Sequence, residues 1–165
     1  MGSSTSQNYE QLGNGNPNGC MAEGLHQQVI GEAAATRTLN RDESGSVLQF
    51  DSAAGVVYTL PTPVIGMYFD FITTTTITSN AAKVITADTA SEFILGVCEV
   101  IGGTTETTLA AIANGSTHVA ISSNGTTTGG AIGGRFRLTA ISTTQWYIDG
   151  YVKGTGTVAT PFATS

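Results

Sequence analysis

Arg135-Phe-Arg-Leu-Thr-Ala-Ile141, then Ser142-Thr-Thr144, then Gln145-Trp-Tyr-Ile-Asp-Gly-Tyr-Val152 is the stretch that decides the fold. Apolar and polar residues alternate along both halves of it. Phe136, Leu138 and Ala140 point one way, and Arg135, Arg137 and Thr139 the other. Trp146 and Ile148 alternate in the same manner against Tyr147 and Asp149. A period of two is the pattern of a half-buried strand. Two such strands joined by a short polar link read as an antiparallel hairpin. The alternation makes Phe136, Leu138, Trp146 and Ile148 the expected structural core.

The same texture extends upstream. Ser46-Val-Leu-Gln-Phe50 and Val56-Val-Tyr-Thr-Leu60 are β-prone and read as a second hairpin across DSAAG. Met67-Tyr-Phe-Asp-Phe-Ile72 alternates, with Met67, Phe69 and Phe71 on one face. Thr73 to Thr78 continues it as a β-branched run, which suits a pleated surface. Lys83 to Ala87, Glu92 to Val100 and Thr117 to Ser122 follow, each bounded by turn residues. Only Thr107 to Ala113 offers a helical alternative. About eight short strands at near-regular spacing imply an all-β chain, built as an antiparallel β-sandwich or barrel.

Composition narrows the function classes. The chain has 165 residues, enough for one domain with an arm. Only 11% are charged, against about 25% in an average soluble domain. Thr fills 27 positions and Gly 21, together more than all charged residues. Six Lys and Arg against twelve Asp and Glu leave a net charge of −6. That balance argues against nucleic acid as a partner, because phosphate binding rests mainly on cations. No apolar run approaches the length of a membrane-spanning helix, so no membrane association is expected. MGSSTSQNYE lacks the basic flank and apolar run of a secretory signal. It fits an acylation pattern, but reads first as a flexible polar leader.

A boundary falls near residue 35. Residues 1–35 contain no Lys or Arg, and GNGNPNG at 13–19 cannot sit in a helix or central strand. Leu12, Met21, Leu25, Val29 and Ile30 are its main large apolar residues. Such a segment buries too little surface to offset its ordering entropy alone. It is expected to be an extended N-terminal arm, ordered by docking on a partner surface, with residues 36–165 as the β body. A short helix around Leu25, Val29 and Ile30 is an equal alternative to extended chain.

Chemistry-bearing motifs are scarce. Cys20 and Cys98 are the only cysteines and His26 and His118 the only histidines. A nucleophilic triad or tetrahedral metal site needs more than they supply. No catalytic, cofactor-binding or metal-ligating residue is therefore assigned. Asn114-Gly-Ser and Asn124-Gly-Thr match a glycosylation acceptor pattern, but Asn-Gly is first a turn dipeptide. Gly129 to Gly134 precedes a strand rather than opening a helix, so it reads as a loop needing positive φ. Tyr58, Tyr68, Trp146, Tyr147 and Tyr151 could together form a sugar-stacking platform. The alternation of Trp146 with Ile148 favours core packing for that residue.

Thr38-Leu39, Ser44-Gly45, Val47-Leu48, Thr59-Leu60-Pro61 and Gly66-Met-Tyr-Phe69 form an ordered string. Phe136-Arg-Leu138, Trp146-Tyr-Ile148, Gly150 and a Gly-Thr tail at 154–157 close it. Across roughly residues 36–158 this resembles a trimeric β-module of tailed-bacteriophage virion proteins. The resemblance implies a capsid decoration (cement or head-fibre) protein on the outer capsid surface. It would act as a homotrimer that bridges and stabilises major capsid subunits. In that setting the arm residues Leu12, Met21, Leu25, Val29 and Ile30 would contact the capsid. The alternative is a tail-fibre or receptor-binding module that binds a host surface glycan. Trimerisation also suits the thin core: Val, Ile, Leu and Phe are 37 of 165 residues, and burial between copies would supplement them.

Overall fold

The computed structural model describes residues 27–31, 34–103 and 107–165. The chain is nearly all β, and a 3-10 turn at Arg41–Glu43 is the only helical element among the described residues. These residues form twelve strands rather than about eight. They lie in two sheets that are mixed rather than antiparallel.

The parallel pairs come from how the first half winds. Its strands are β1 (Val29–Ile30), β2 (Thr36–Thr38), β3 (Val47–Phe50), β4 (Val57–Thr59), β5 (Tyr68–Thr73) and β6 (Ala82–Ile85). Odd-numbered strands join one sheet and even-numbered strands the other. Val29 aligns with Val47 and Val47 with Asp70, both in parallel pairs. Thr36 aligns with Val57 and Val57 with Lys83, again in parallel. The chain thus crosses between sheets at every link, as a β-solenoid does.

This winding overturns the expected hairpin at 46–60. β3 and β4 lie in different sheets, joined by residues 51–56. Their large side chains meet across the core, the Phe50 and Tyr58 rings standing edge-on at 5.3 Å. Both strands need to bury one face, and crossing to the opposite sheet buries both against each other. The expected strand at 73–78 stops at Thr73. Beyond it Thr74 and Thr75 both donate to the Phe50 carbonyl at 3.1 Å, and Ile77 turns into the core.

The second half supplies β7 (Phe93–Ile101), β8 (Thr108–Asn114), β9 (Ala120–Ser123), β10 (Arg135–Ala140), β11 (Gln145–Lys153) and β12 (Phe162–Ala163). β8 occupies the stretch that offered a helical alternative. β10 and β11 form the antiparallel hairpin, with Leu138 opposite Ile148 and Ala140 opposite Trp146. The large sheet runs β1-β3-β5-β10-β11-β7-β8 and the small one β12-β9-β6-β4-β2.

Both sheets contribute to one core. Phe136, Leu138, Trp146 and Ile148 are all buried in it. Phe136 stacks on Phe71 at 5.1 Å, Phe71 meets Tyr58 at 5.8 Å, and Trp146 lies 6.0 Å from Phe69. Ile30 belongs to this core as well, which corrects its expected role as an anchor on another surface. Its neighbour Val29 points outward and is 57% exposed, as strand alternation requires. Leu12, Met21 and Leu25 lie outside the described residues.

Loop chemistry follows the Asn-Gly dipeptides. The Asn114 carboxamide oxygen accepts from the Ser116 and Thr117 amides. That of Asn124 accepts from Thr126, Thr127 and Thr128. Gly125 has φ +79, and a Cβ there would fall 1.7 Å from the Ile77 carbonyl oxygen, so only glycine fits.

Candidate functional site

The large sheet turns its outer face away from the core. Alternation places Arg135, Arg137 and Thr139 of β10 on that face, beside Tyr147, Asp149 and Tyr151 of β11. One row of aligned residues runs from Val29 through Val47, Asp70, Arg137, Asp149 and Val97 to Ile112. Polar chemistry gathers in the middle of the row and apolar side chains at both its ends, Val29 and Val47 on one side and Val97 and Ile112 on the other.

Asp70 is the hub of the polar part. Its carboxylate accepts from Arg137 Nε at 2.9 Å and Arg137 Nη2 at 2.6 Å, a bidentate fork. Arg135 Nη2 stands 3.5 Å away, and Gln27 Nε2 donates at 3.3 Å. Gln27 also donates to the Gly45 carbonyl at 3.1 Å, so the chain two residues ahead of β1 is tied to the sheet. These partners leave Asp70 only 1% exposed although it lies on the outer face. Burial pushes its carboxyl up, but the hydrogen bonds from Arg137 and Gln27 and the two guanidinium charges outweigh that and hold it below its ordinary value. The Arg137 guanidinium lies over the Tyr68 ring, 4.6 Å from its centre.

Beside this hub the surface dips. Asp70, Arg135, Arg137, Asp149 and Tyr151 line an open depression of about 360 Å³. Arg135 and Tyr151 are 57% and 41% exposed, and Asp149 is exposed too. The Asp149 carboxylate accepts no hydrogen bond among the described residues. Of the five aromatic residues that could have formed a platform, Tyr58 and Trp146 are fully buried. Tyr68, Tyr147 and Tyr151 share the outer face.

The β8 end is different in character. Val97 and Ile112, aligned on β7 and β8, are 46% and 67% exposed. β8 closes the sheet, and its sequence Thr-Leu-Ala-Ala-Ile-Ala-Asn carries no charge and no proline. Edge strands are commonly guarded by such residues against pairing with another chain.

Reactive groups elsewhere are committed to structure. His118 is half-buried and its Nδ1 accepts from the Asn114 amide at 3.1 Å. Burial pushes the Cys98 thiol up to about 12, so it stays protonated at neutral pH. Burial also raises the Glu92 carboxyl, whose oxygen accepts from the Ala87 and Asp88 amides at 3.0 and 3.2 Å. Among the described residues no three His, Cys, Asp or Glu side chains cluster as metal ligands. No helix among them is long and apolar enough to cross a membrane.

Sequence reading passed over Asp70, Arg135, Arg137 and Asp149 as a group. The available signal was that a chain so poor in charge places three of these four at outward positions of one hairpin. No protein-family model matches the chain, and neither a curated protein nor a solved structure matches it.

Proposed function

We propose that this is a structural protein of a tailed-bacteriophage particle, a decoration protein on the outer capsid surface. Its β-sandwich body associates as a homotrimer, and its N-terminal arm bridges and stabilises major capsid subunits. The observation that carries the reading is the β8 edge, uncharged and carrying the exposed Ile112 beside the exposed Val97 of β7. An open edge with apolar side chains favours association with protein by strand pairing and burial. A second copy of the chain is the partner assigned to it, since burial between copies supplements a small core. The tie from Gln27 to Asp70 and Gly45 supports the arm's role, because pull on the arm would be borne by the middle of the sheet. The net charge of −6 favours a protein partner over nucleic acid. Contacts of this kind are mostly uncharged, so capsid binding should depend only mildly on salt.

Co-sedimentation with capsids stripped of the protein tests the reading. The intact chain should pellet with such capsids, and a chain lacking residues 1–26 should stay folded but pellet less. Equal pelleting of both forms would remove the arm as the anchor. Failure of the intact chain to pellet would remove the decoration role itself.

A further inference from the structure

We propose that the depression between Arg135, Arg137, Asp149 and Tyr151 binds a neutral glycan. The inference rests on the geometry of the sheet face and not on the decoration reading.

Charge selects the ligand class. Asp70 and Arg137 neutralise each other through their fork. Arg135 reaches Asp70 at only 3.5 Å through one nitrogen, and its exposed side chain, with donors to spare, lines the depression. Asp149 lies across from Arg137 with its carboxylate open. One open cation and one open anion therefore flank the same space. An anionic ligand drawn to Arg135 meets Asp149, and a cationic ligand drawn to Asp149 meets the two guanidinium groups. A molecule with neighbouring hydroxyls satisfies both sides, donating to the carboxylate and accepting from the guanidinium.

Shape and stiffness agree. The volume of about 360 Å³ is at the small end of ligand sites, which run from about 300 to 1,000 Å³. The Tyr151 ring at the rim offers an apolar face with a polar tip, the surface that suits the C–H face of a sugar ring. Tyr147 shares the strand face four residues away, roughly 13 Å along the strand. That gives a second platform for a further sugar unit. Arg137 is already held by Asp70 and Tyr68, and the backbone belongs to central strands, so binding orders little that was mobile.

The test titrates the full chain with lactose, maltotriose, chitotriose and 3′-sialyllactose, followed by saturation-transfer NMR and calorimetry. At least one neutral sugar should bind with a Kd of about 1 mM. Tyr151→Ala and Asp149→Ala should each weaken it about tenfold, the loss expected for a hydrogen bond to a charged group or for comparable stacking. Asp149→Asn keeps the shape and should weaken it as well. Lys83→Ala, on the small sheet, should bind as the wild type does. Sialyllactose should bind less tightly than lactose. Absence of binding by all four sugars up to about 10 mM would overturn the proposal. So would tightest binding of the sialylated sugar, or variants that bind as the wild type does. If Tyr151→Ala and Asp149→Ala instead split an oligomer that binds no sugar, the face is a subunit contact and the proposal fails.

Discussion

Asp70 faces outward from the sheet and is nonetheless shielded, because Arg137 and Gln27 close over it. Asp70→Asn removes one charge from the fork and should cost about 1–3 kcal/mol, the lower part of that range reflecting the half-exposed Arg137. The acid dependence has a definite sign. The folded carboxyl titrates below its ordinary 3.8, so its contribution is complete above 3.8 and fades as pH falls through the folded value. Urea unfolding across that range should show a shallower acid limb for Asp70→Asn than for the wild type. An unchanged limb would mean the carboxylate is not held as described. Glu92 works in the opposite sense: its folded value is raised above 4.5, so stability drops as pH rises from 4.5 through that value. Glu92→Gln should remove that drop while keeping an acceptor for the Ala87 and Asp88 amides. Trp146 is fully buried, and its indole N–H has no partner among the described residues. Trp146→Ala should therefore cost about 3–5 kcal/mol. Trp146→Phe should cost less, about 1–2 kcal/mol, because it loses volume but also an unpaired donor. Thermal or urea melts of the two variants check that order.

Elements differ in how openly their partners are written. The β10–β11 pair was legible as a hairpin with its buried face, because its turn is local and both strands alternate over several residues; its register came from the structure. The face formed by Met67, Phe69 and Phe71 was legible for the same reason. The coil from β1 to β6 was not. A parallel pair is separated by a crossover and has no shared turn to mark it. β3 and β4 each alternate, and nothing in residues 51–55 distinguishes a hairpin from a crossing between sheets. The depression escaped notice because Asp70 joins β10 and β11 only once β5 is known to lie beside β10. At this scale Gly125→Ala should destabilise the loop next to Ile77, by about 1–3 kcal/mol or more, since both φ and contact distance oppose a side chain. Melting that matches the wild type would contradict the loop geometry. Ile112→Lys places a charge on β8 and should leave the fold intact while abolishing self-association, which light scattering would register. A variant that still assembles would move the subunit contact away from β8.

The whole molecule combines one core shared by two sheets with surfaces of two kinds. One end of the large sheet carries exposed apolar side chains and ends in an edge that no described strand pairs. Its middle is polar and dips beside an ion-paired hub. β1, which falls within the segment expected as the arm, is the edge strand opposite β8, so the proposed arm ahead of residue 27 would join the sheet there. In a trimer built on β8 the arms would lie away from the subunit contacts, free to reach outward. Light scattering should then give about three times 16.9 kDa for the purified chain. A monomer at micromolar concentration would count against the trimer. The most direct measurement of the proposed role is immunogold electron microscopy, with antibody against the chain, of tailed-phage particles purified from cultures that express it. The decoration role requires label spread in many copies over the head surface. Label confined to the tail tip, or none on the particle, would contradict it.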